Sequence, residues 1–287
     1  MMRILFFTII SFVFSANVLL GQVTDVFGNR VPAKEGASNT GVSSNHNQKD
    51  EQGLKQGYWE KRFSNGKPAY TVTFKDDRPV GKMIRYYLNG NKKIEIDYDE
   101  NQYGPAILYA ENGKMTAKGF YKGTKKDSLW QFFSPEGILY TNELYKDGLK
   151  NGMTTHFFKK GNVAEEVGWK DGVKEGIWKK YHENGRLKMT SSHKKGKIDG
   201  EYVVFYPDGK LEVQGKFENG LEEGTWVVFT HAGNVAYKIK YKEGKTLNAA
   251  DFDEKQQKLF EEFEKNKGKL KDPEEFKHDP DSYMRGF

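Results

Sequence analysis

Residues Gly176–Asp199 read GIWKKYHENGRLKMTSSHKKGKID, and the next stretch, Gly200–Glu223, reads GEYVVFYPDGKLEVQGKFENGLEE. Both open on Gly, carry an aromatic residue at position 6 and place Asn-Gly or Asp-Gly at positions 9 and 10. Self-similarity at a fixed period signals a repeat architecture. Counted outward, units begin at Gly57, Gly81, Gly104, Ser128, Gly152, Gly176, Gly200 and Gly224, with six intervals of 24 residues and one of 23.

The pattern within a unit reads as a hairpin. Position 10 is Gly in all eight units, usually after Asn, Asp or Glu, which marks a tight turn because Gly accepts a positive φ. A second turn signal follows position 18, as in the KDG at Lys146 and Lys170, the ENG at Glu218 and the KEG at Lys242. About seven extended residues lie between turns. The chain therefore predicts an all-β fold: an elongated, single-layer antiparallel meander of about eight 24-residue hairpins, some sixteen strands, with a C-terminal helix.

The faces are only partly legible. Positions 12 and 18 are mostly apolar and position 15 is polar throughout, so period two sends 12 and 18 to one side and 15 to the other. A bulge at the turn would pair position 6 with position 12. Position 3 holds Trp59, Trp130, Trp178 and Trp226; it lies on the reverse face from position 6, or a bulge turns it back. A meander of this kind is expected to bring the aromatic at position 18 against the next unit's aromatic at position 6, each such pair contributing roughly 0.2–1 kcal/mol.

The motif GxWxxYxxNG, followed by YKDG, resembles the variant MORN repeat, as in bacterial proteins of the YwqK type. Its clearest copies are GIWKKYHENGRLK from Gly176, GTWVVFTHAGNVAYKIKYKEG from Gly224 and GYWEKRFSNGKPAYTVTFKDD from Gly57. Met83, Ala106 and Thr154 replace Trp at position 3, and Ser128 replaces the opening Gly. The resemblance implies a repeated-hairpin sheet, a scaffolding or membrane-contact role and, in many relatives, an antitoxin label.

Composition agrees with strands and turns. The chain has 287 residues, 14% aromatic, with 31 Gly and no Cys, so disulfides and thiolate metal sites are excluded. Residues 1–21, MMRILFFTIISFVFSANVLLG, match a secretory signal peptide cleaved after Gly21, with Ala16 as the alternative site and an uncleaved anchor as the bland reading. Residues 22–56 read as a flexible leader with a short strand at Val23–Phe27, 57–246 as the eight-unit domain, and 247–287 as a C-terminal helix and tail. Asn248 or Asp251 is placed to cap that helix, and Phe252, Leu259 and Phe263 share a face that could cover the last strand. The net charge of +6 is spread as single lysines.

No catalytic or metal-binding constellation emerges, and no cofactor is expected. His156 and His182 fall in or near turns and read as solvated, whereas His193 occupies an aromatic slot and reads as packed. Glu165 and Glu166 are adjacent on a strand and should point to opposite faces. The candidate binding residues are Trp59, Trp130, Trp178, Trp226, Tyr181 and Phe229, set against the reading that they only pack. The expected function is an exported, non-enzymatic scaffold, periplasmic or secreted, that binds protein or an envelope polymer. An antitoxin-like inhibitor and a carbohydrate-binding accessory module are the alternatives. No nucleic-acid partner is expected; peripheral membrane contact and oligomerisation through sheet edges stay open.

Overall fold

Two successive turns per unit set the architecture. In the first, His182 N–H donates to the Arg186 carbonyl and Gly185 N–H to that of His182, with Gly185 at φ 82°. The second is a two-residue hairpin loop: Lys146 pairs with Leu149, and Asp147 and Gly148 take φ 48° and 90°. Positive φ at both central residues is the type I′ geometry that matches strand twist. It recurs at Asp171–Gly172, Lys195–Gly196, Asn219–Gly220 and Glu243–Gly244.

The computed structural model describes residues 46–248 and 252–267. Within them the chain forms one 19-stranded antiparallel sheet in which strands pair in sequence order, except that Lys197–Ile198 and Gly200–Phe205 both pair with Leu187–Lys194. Sixteen of these strands are the expected hairpin arms; the other three are the two-residue strands Gln48–Lys49, Lys197–Ile198 and Lys245–Thr246. The sheet thus begins at Gln48, inside the stretch read as a flexible leader. The signal-peptide reading, the strand at Val23–Phe27 and the tail beyond Lys267 lie outside the described residues.

Every unit carries a register shift after position 5. Lys180 pairs with Met189, but the next residue, Tyr181, pairs with Leu187; Val228 pairs with Tyr237, and Phe229 with Val235. This is the expected pairing of position 6 with position 12. A bulge increases twist and bends its strand. The more deeply buried side of the sheet, its inner side, carries positions 3, 5, 14, 16 and 18, where Ile96, Trp130, Met189, Trp226 and Ile239 are wholly buried.

The tryptophans therefore share a face with position 18, not with position 6. Tyr121 meets Trp130 edge-on at 5.2 Å and Phe217 meets Trp226 at 5.0 Å. The expected contact between positions 18 and 6 does not form. Position 18 returns to the level of position 1, as in Phe217 opposite Gly200, whereas position 6 stands at the other end of the strand and points outward.

Side chains stitch one unit to the next along both turn edges. The carboxylate at position 24 accepts a backbone N–H from the following type I′ turn: Asp127 from Asp147 at 3.2 Å, Glu175 from Lys195 at 2.8 Å and Asp199 from Asn219 at 3.0 Å. At the opposite edge the Asn89 and Asn184 amides donate to the carbonyls of Glu111 and Pro207, in the next turn along. The polar turn residues thus bond between units as well as shaping their own turns.

Both outer edges of the sheet are closed by an asparagine. The Asn47 amide accepts from Glu60 N–H and donates to the Glu60 carbonyl, while its own N–H bonds Tyr58. At the far edge the Asn248 amide accepts from Lys240 N–H and donates to the Lys238 carbonyl. Each side chain satisfies backbone groups that a further strand would otherwise claim.

Helix α1 (Glu254–Lys267) covers the inner face of the last unit. Phe252, Leu259, Phe260 and Phe263 pack against Trp226, Tyr237, Ile239 and Tyr241. The Tyr237 hydroxyl donates to the Leu259 carbonyl and that of Tyr241 to Glu264. The helix is capped by Asp253, which accepts from Gln256 N–H at 2.7 Å while Gln256 reaches back to Asp253 N–H at 3.3 Å, a capping box. Asn248, expected as a cap, serves the sheet edge instead, and Asp251 lies outside the described residues.

Candidate binding surface

Units 4 to 6 depart from the rest of the sheet on both faces. On the inner face, apolar residues give way to Thr141, His156, Glu165 and Lys180, register neighbours on four adjacent strands that are 4%, 8%, 1% and 1% exposed. Thr141 Oγ1 lies 2.7 Å from His156 Nδ1, and the Glu165 carboxylate takes a hydrogen bond from Trp178 Nε1 with Lys180 Nζ at 3.9 Å. Beside them Lys150 Nζ meets Glu143 at 2.7 Å, and the Tyr145 hydroxyl donates to the other Glu143 oxygen. Hydroxyl, imidazole and carboxylate stand in line, and all of them are buried. His156 is thus buried, not solvated. His182 is half-buried, with Nε2 at 2.9 Å from the Phe205 carbonyl oxygen, and His193 packs at 5.1 Å from Trp178.

Lysines close the same face at its second-turn end. Lys126 Nζ stands 4.6, 4.7 and 5.0 Å from the rings of Trp130, Phe132 and Tyr145, and Lys150 Nζ stands 4.6 Å from Trp169. Their stems cover apolar surface and their ammonium groups meet ring faces, a favourable arrangement for a partly desolvated cation.

The six sequence-selected residues do not form one site. Trp130 and Trp226 are core, each with Nε1 bonded to the backbone of the preceding unit, at Phe120 and Lys216. Trp59 and Trp178 are half-buried on the same inner face. Tyr181 and Phe229 occupy the outer face. The Tyr181 hydroxyl donates to Glu166 at 2.7 Å, and burial, followed by this bond, pushes its pKa up to about 12. Glu165 and Glu166 do point to opposite faces.

The outer face holds a feature that the repeat pattern concealed. Lys118, Gln131, Asn142, Thr155, Glu166, Lys179 and Thr190 are successive register partners on seven adjacent strands. At about 4.8 Å per strand this track spans roughly 29 Å. It joins positions 4 and 15, and it runs unbroken over seven strands only here: position 4 is Ile84 and Ile107 just before it and Val203 and Val227 after it, while the polar Glu60–Thr71 pair of unit 1 stops at Ile84. Inspecting position 4 unit by unit would have found it, because only units 4 to 6 are polar there in succession.

Two rails flank the track. On the first-turn side stand the half-buried rings of Phe133, Phe157 and Tyr181, with Lys118 Nζ 5.6 Å from Phe133. On the other side, Phe120, Leu129, Leu144 and Ile177 are exposed. Leu129 and Leu144 are register partners, and Phe120 stacks on Tyr103 at 5.4 Å. A polar line between aromatic and aliphatic borders can hold an extended chain that has both hydrogen-bonding and apolar surfaces.

Three segments of the chain, residues 79–100, 174–195 and 198–219, match the family model described as the MORN repeat variant. They coincide with units 2, 6 and 7, so the chain carries repeats similar to that variant. No curated protein matches the chain. Among solved structures, the one titled "Crystal Structure of TcdB2-TccC3-Cdc42" is similar at 9% identity and a TM-score of 0.20. The match covers 67% of this chain and 14% of that one, so this chain spans a small part of its length.

Proposed function

We propose that this protein is an exported, non-enzymatic scaffold that binds a macromolecule of the cell envelope through the outer face of units 4 to 6. One observation carries the reading: the seven-strand track from Lys118 to Thr190, bordered by rings and exposed aliphatic residues where the neighbouring units are apolar. Repeats supply such surfaces by stacking, and local departures from the consensus write the recognition into them. The apolar N-terminal run supports export. Fractionation of cells expressing the tagged chain tests export, and retention of envelope material on the immobilised full chain tests binding. A chain that stays in the cytoplasm, or whose retained material is unchanged by Gln131→Ala/Asn142→Ala, would remove the reading.

A second reading, inhibition of a protein toxin, is supported by the exposed rail of Phe120, Leu129, Leu144 and Ile177, which suits a partner's apolar side chains. Restored growth on co-expression with a toxic neighbouring gene product would favour it, with Leu129→Ser/Leu144→Ser abolishing the rescue.

A further inference from the structure

We infer that the outer track of units 4 to 6 is a binding site for a straight, β-linked polysaccharide lying across the strands; this rests on the scaffold reading above and names its ligand. The inference begins from spacing. The track offers one side chain per strand, each about 4.8 Å from the next. In an extended β-1,4-linked glycan the chain advances by about one inter-strand distance per pyranose, so each sugar meets one side chain. An extended peptide advances about 3.3 Å per residue and falls out of step within two strands. A helix laid across the sheet would need an apolar line at the centre, and here the centre is polar.

Chemistry points the same way. The middle of the track is Gln131, Asn142 and Thr155, amide and hydroxyl groups that both donate and accept, as sugar hydroxyls do. Gln131 Nε2 donates to Asn142 Oδ1 at 3.3 Å, a long bond that a ligand hydroxyl can replace. Charge is mixed in sign and lies away from the centre: Lys118 and Lys179 stand toward the ends, and Glu166, bonded by Tyr181, is the register partner of Lys179. That pattern fits a neutral polymer better than a polyanion, which would draw on a dense basic row. Phe133, Phe157 and Tyr181 recur every second strand, roughly 10 Å apart. Alternate sugars of a β-1,4 chain present the same apolar pyranose face, so one ring serves every second sugar.

The test is depletion of the full chain from solution by insoluble polymers: microcrystalline cellulose, chitin and purified peptidoglycan sacculi, with α-linked starch granules as the contrasting probe. Saturable binding to at least one β-linked polymer and none to starch is expected. Gln131→Ala/Asn142→Ala/Thr155→Ala should weaken it roughly tenfold or more, since each lost hydrogen bond is worth about 1 kcal/mol. Phe157→Ala should weaken it separately, and circular dichroism and melting of every variant must match the parent. Equal binding to starch, unchanged binding by the triple variant, or no binding to any β-linked polymer would overturn the inference. In the last case, envelope protein captured by the parent but not by the triple variant leaves the scaffold reading standing without the glycan; no capture removes both.

Discussion

The indole of Trp226 lies so close across Gly215 that a Cβ built on the glycine would stand 2.1 Å from Trp226 Cδ2. Gly119 is covered in the same way by Trp130, at 2.4 Å. In both cases position 16 of one unit has no side chain, and the next unit's tryptophan fills that space. The contact joins consecutive units on the inner face and buries the largest side chain available. Fully burying an aromatic side chain contributes about 1.5–3 kcal/mol.

Gly215→Ala should therefore cost about 2–4 kcal/mol, because the methyl group must displace a fully buried ring. Gly176→Ala is the contrast. It places Ala at φ 79° with open space around its Cβ, so only backbone strain of about 1 kcal/mol is expected. Urea denaturation of the two variants beside the parent measures the difference. Equal losses would mean that Trp226 can move aside.

Lys180 and Glu165 form the more deeply buried of two ion pairs on the inner face, the other being Lys150 with Glu143. Removing one partner leaves the other uncompensated, so Lys180→Met should destabilise by about 3–5 kcal/mol. Glu165→Gln/Lys180→Met, which keeps an acceptor for Trp178 Nε1, should recover most of that loss. A double variant no more stable than Lys180→Met would show that the ion pair itself is net stabilising.

The asparagine edge caps predict a change in assembly rather than in fold. Asn248→Ala exposes Lys240 N–H and the Lys238 carbonyl, and Asn47→Ala exposes the backbone of Glu60. Unpaired edge groups recruit strands from other molecules. The double variant should show concentration-dependent self-association by analytical ultracentrifugation while the parent does not. Identical sedimentation of the two would remove the capping role.

Glu212 and Lys188 lie at position 13, beside the outer rings, and each is shifted chiefly by burial. Burial pushes the Glu212 carboxyl up, against a smaller opposing pull from His182 and Lys188, and pushes Lys188 down, against Glu212. A raised folded-state pKa means that Glu212 favours folding below its unfolded value and that this advantage is lost as pH rises through the folded value. Glu212→Gln should therefore melt higher than the parent at pH 7. The gap should close as pH falls past about 4, where both folded and unfolded carboxyls are protonated. Melting curves at pH 7 and at pH 4 check the sign; a gap that widens in acid would reverse it.

The amino-acid sequence by itself determined the period, the two turns per unit, the sixteen hairpin strands and the pairing of position 6 with position 12. These follow from local chemistry: Gly at position 10 and Asp-Gly or Asn-Gly in the type I′ loops admit positive φ, and alternation follows from the pleat. Position 18 was visibly aromatic, yet its partner was not legible. Only the register after the bulge decided that Phe217 meets Trp226 and that Tyr181 faces the other way. His156 looked like a turn residue, because nothing in its neighbourhood along the chain announces Thr141, Glu165 and Lys180 beside it. The track from Lys118 to Thr190 was equally hidden. Its members stand more than ten residues apart and become neighbours only when strands pair. Hydrogen bonding between strands joins what the chain separates, so the binding surface belongs to the tertiary structure, while the unit that builds it belongs to the sequence.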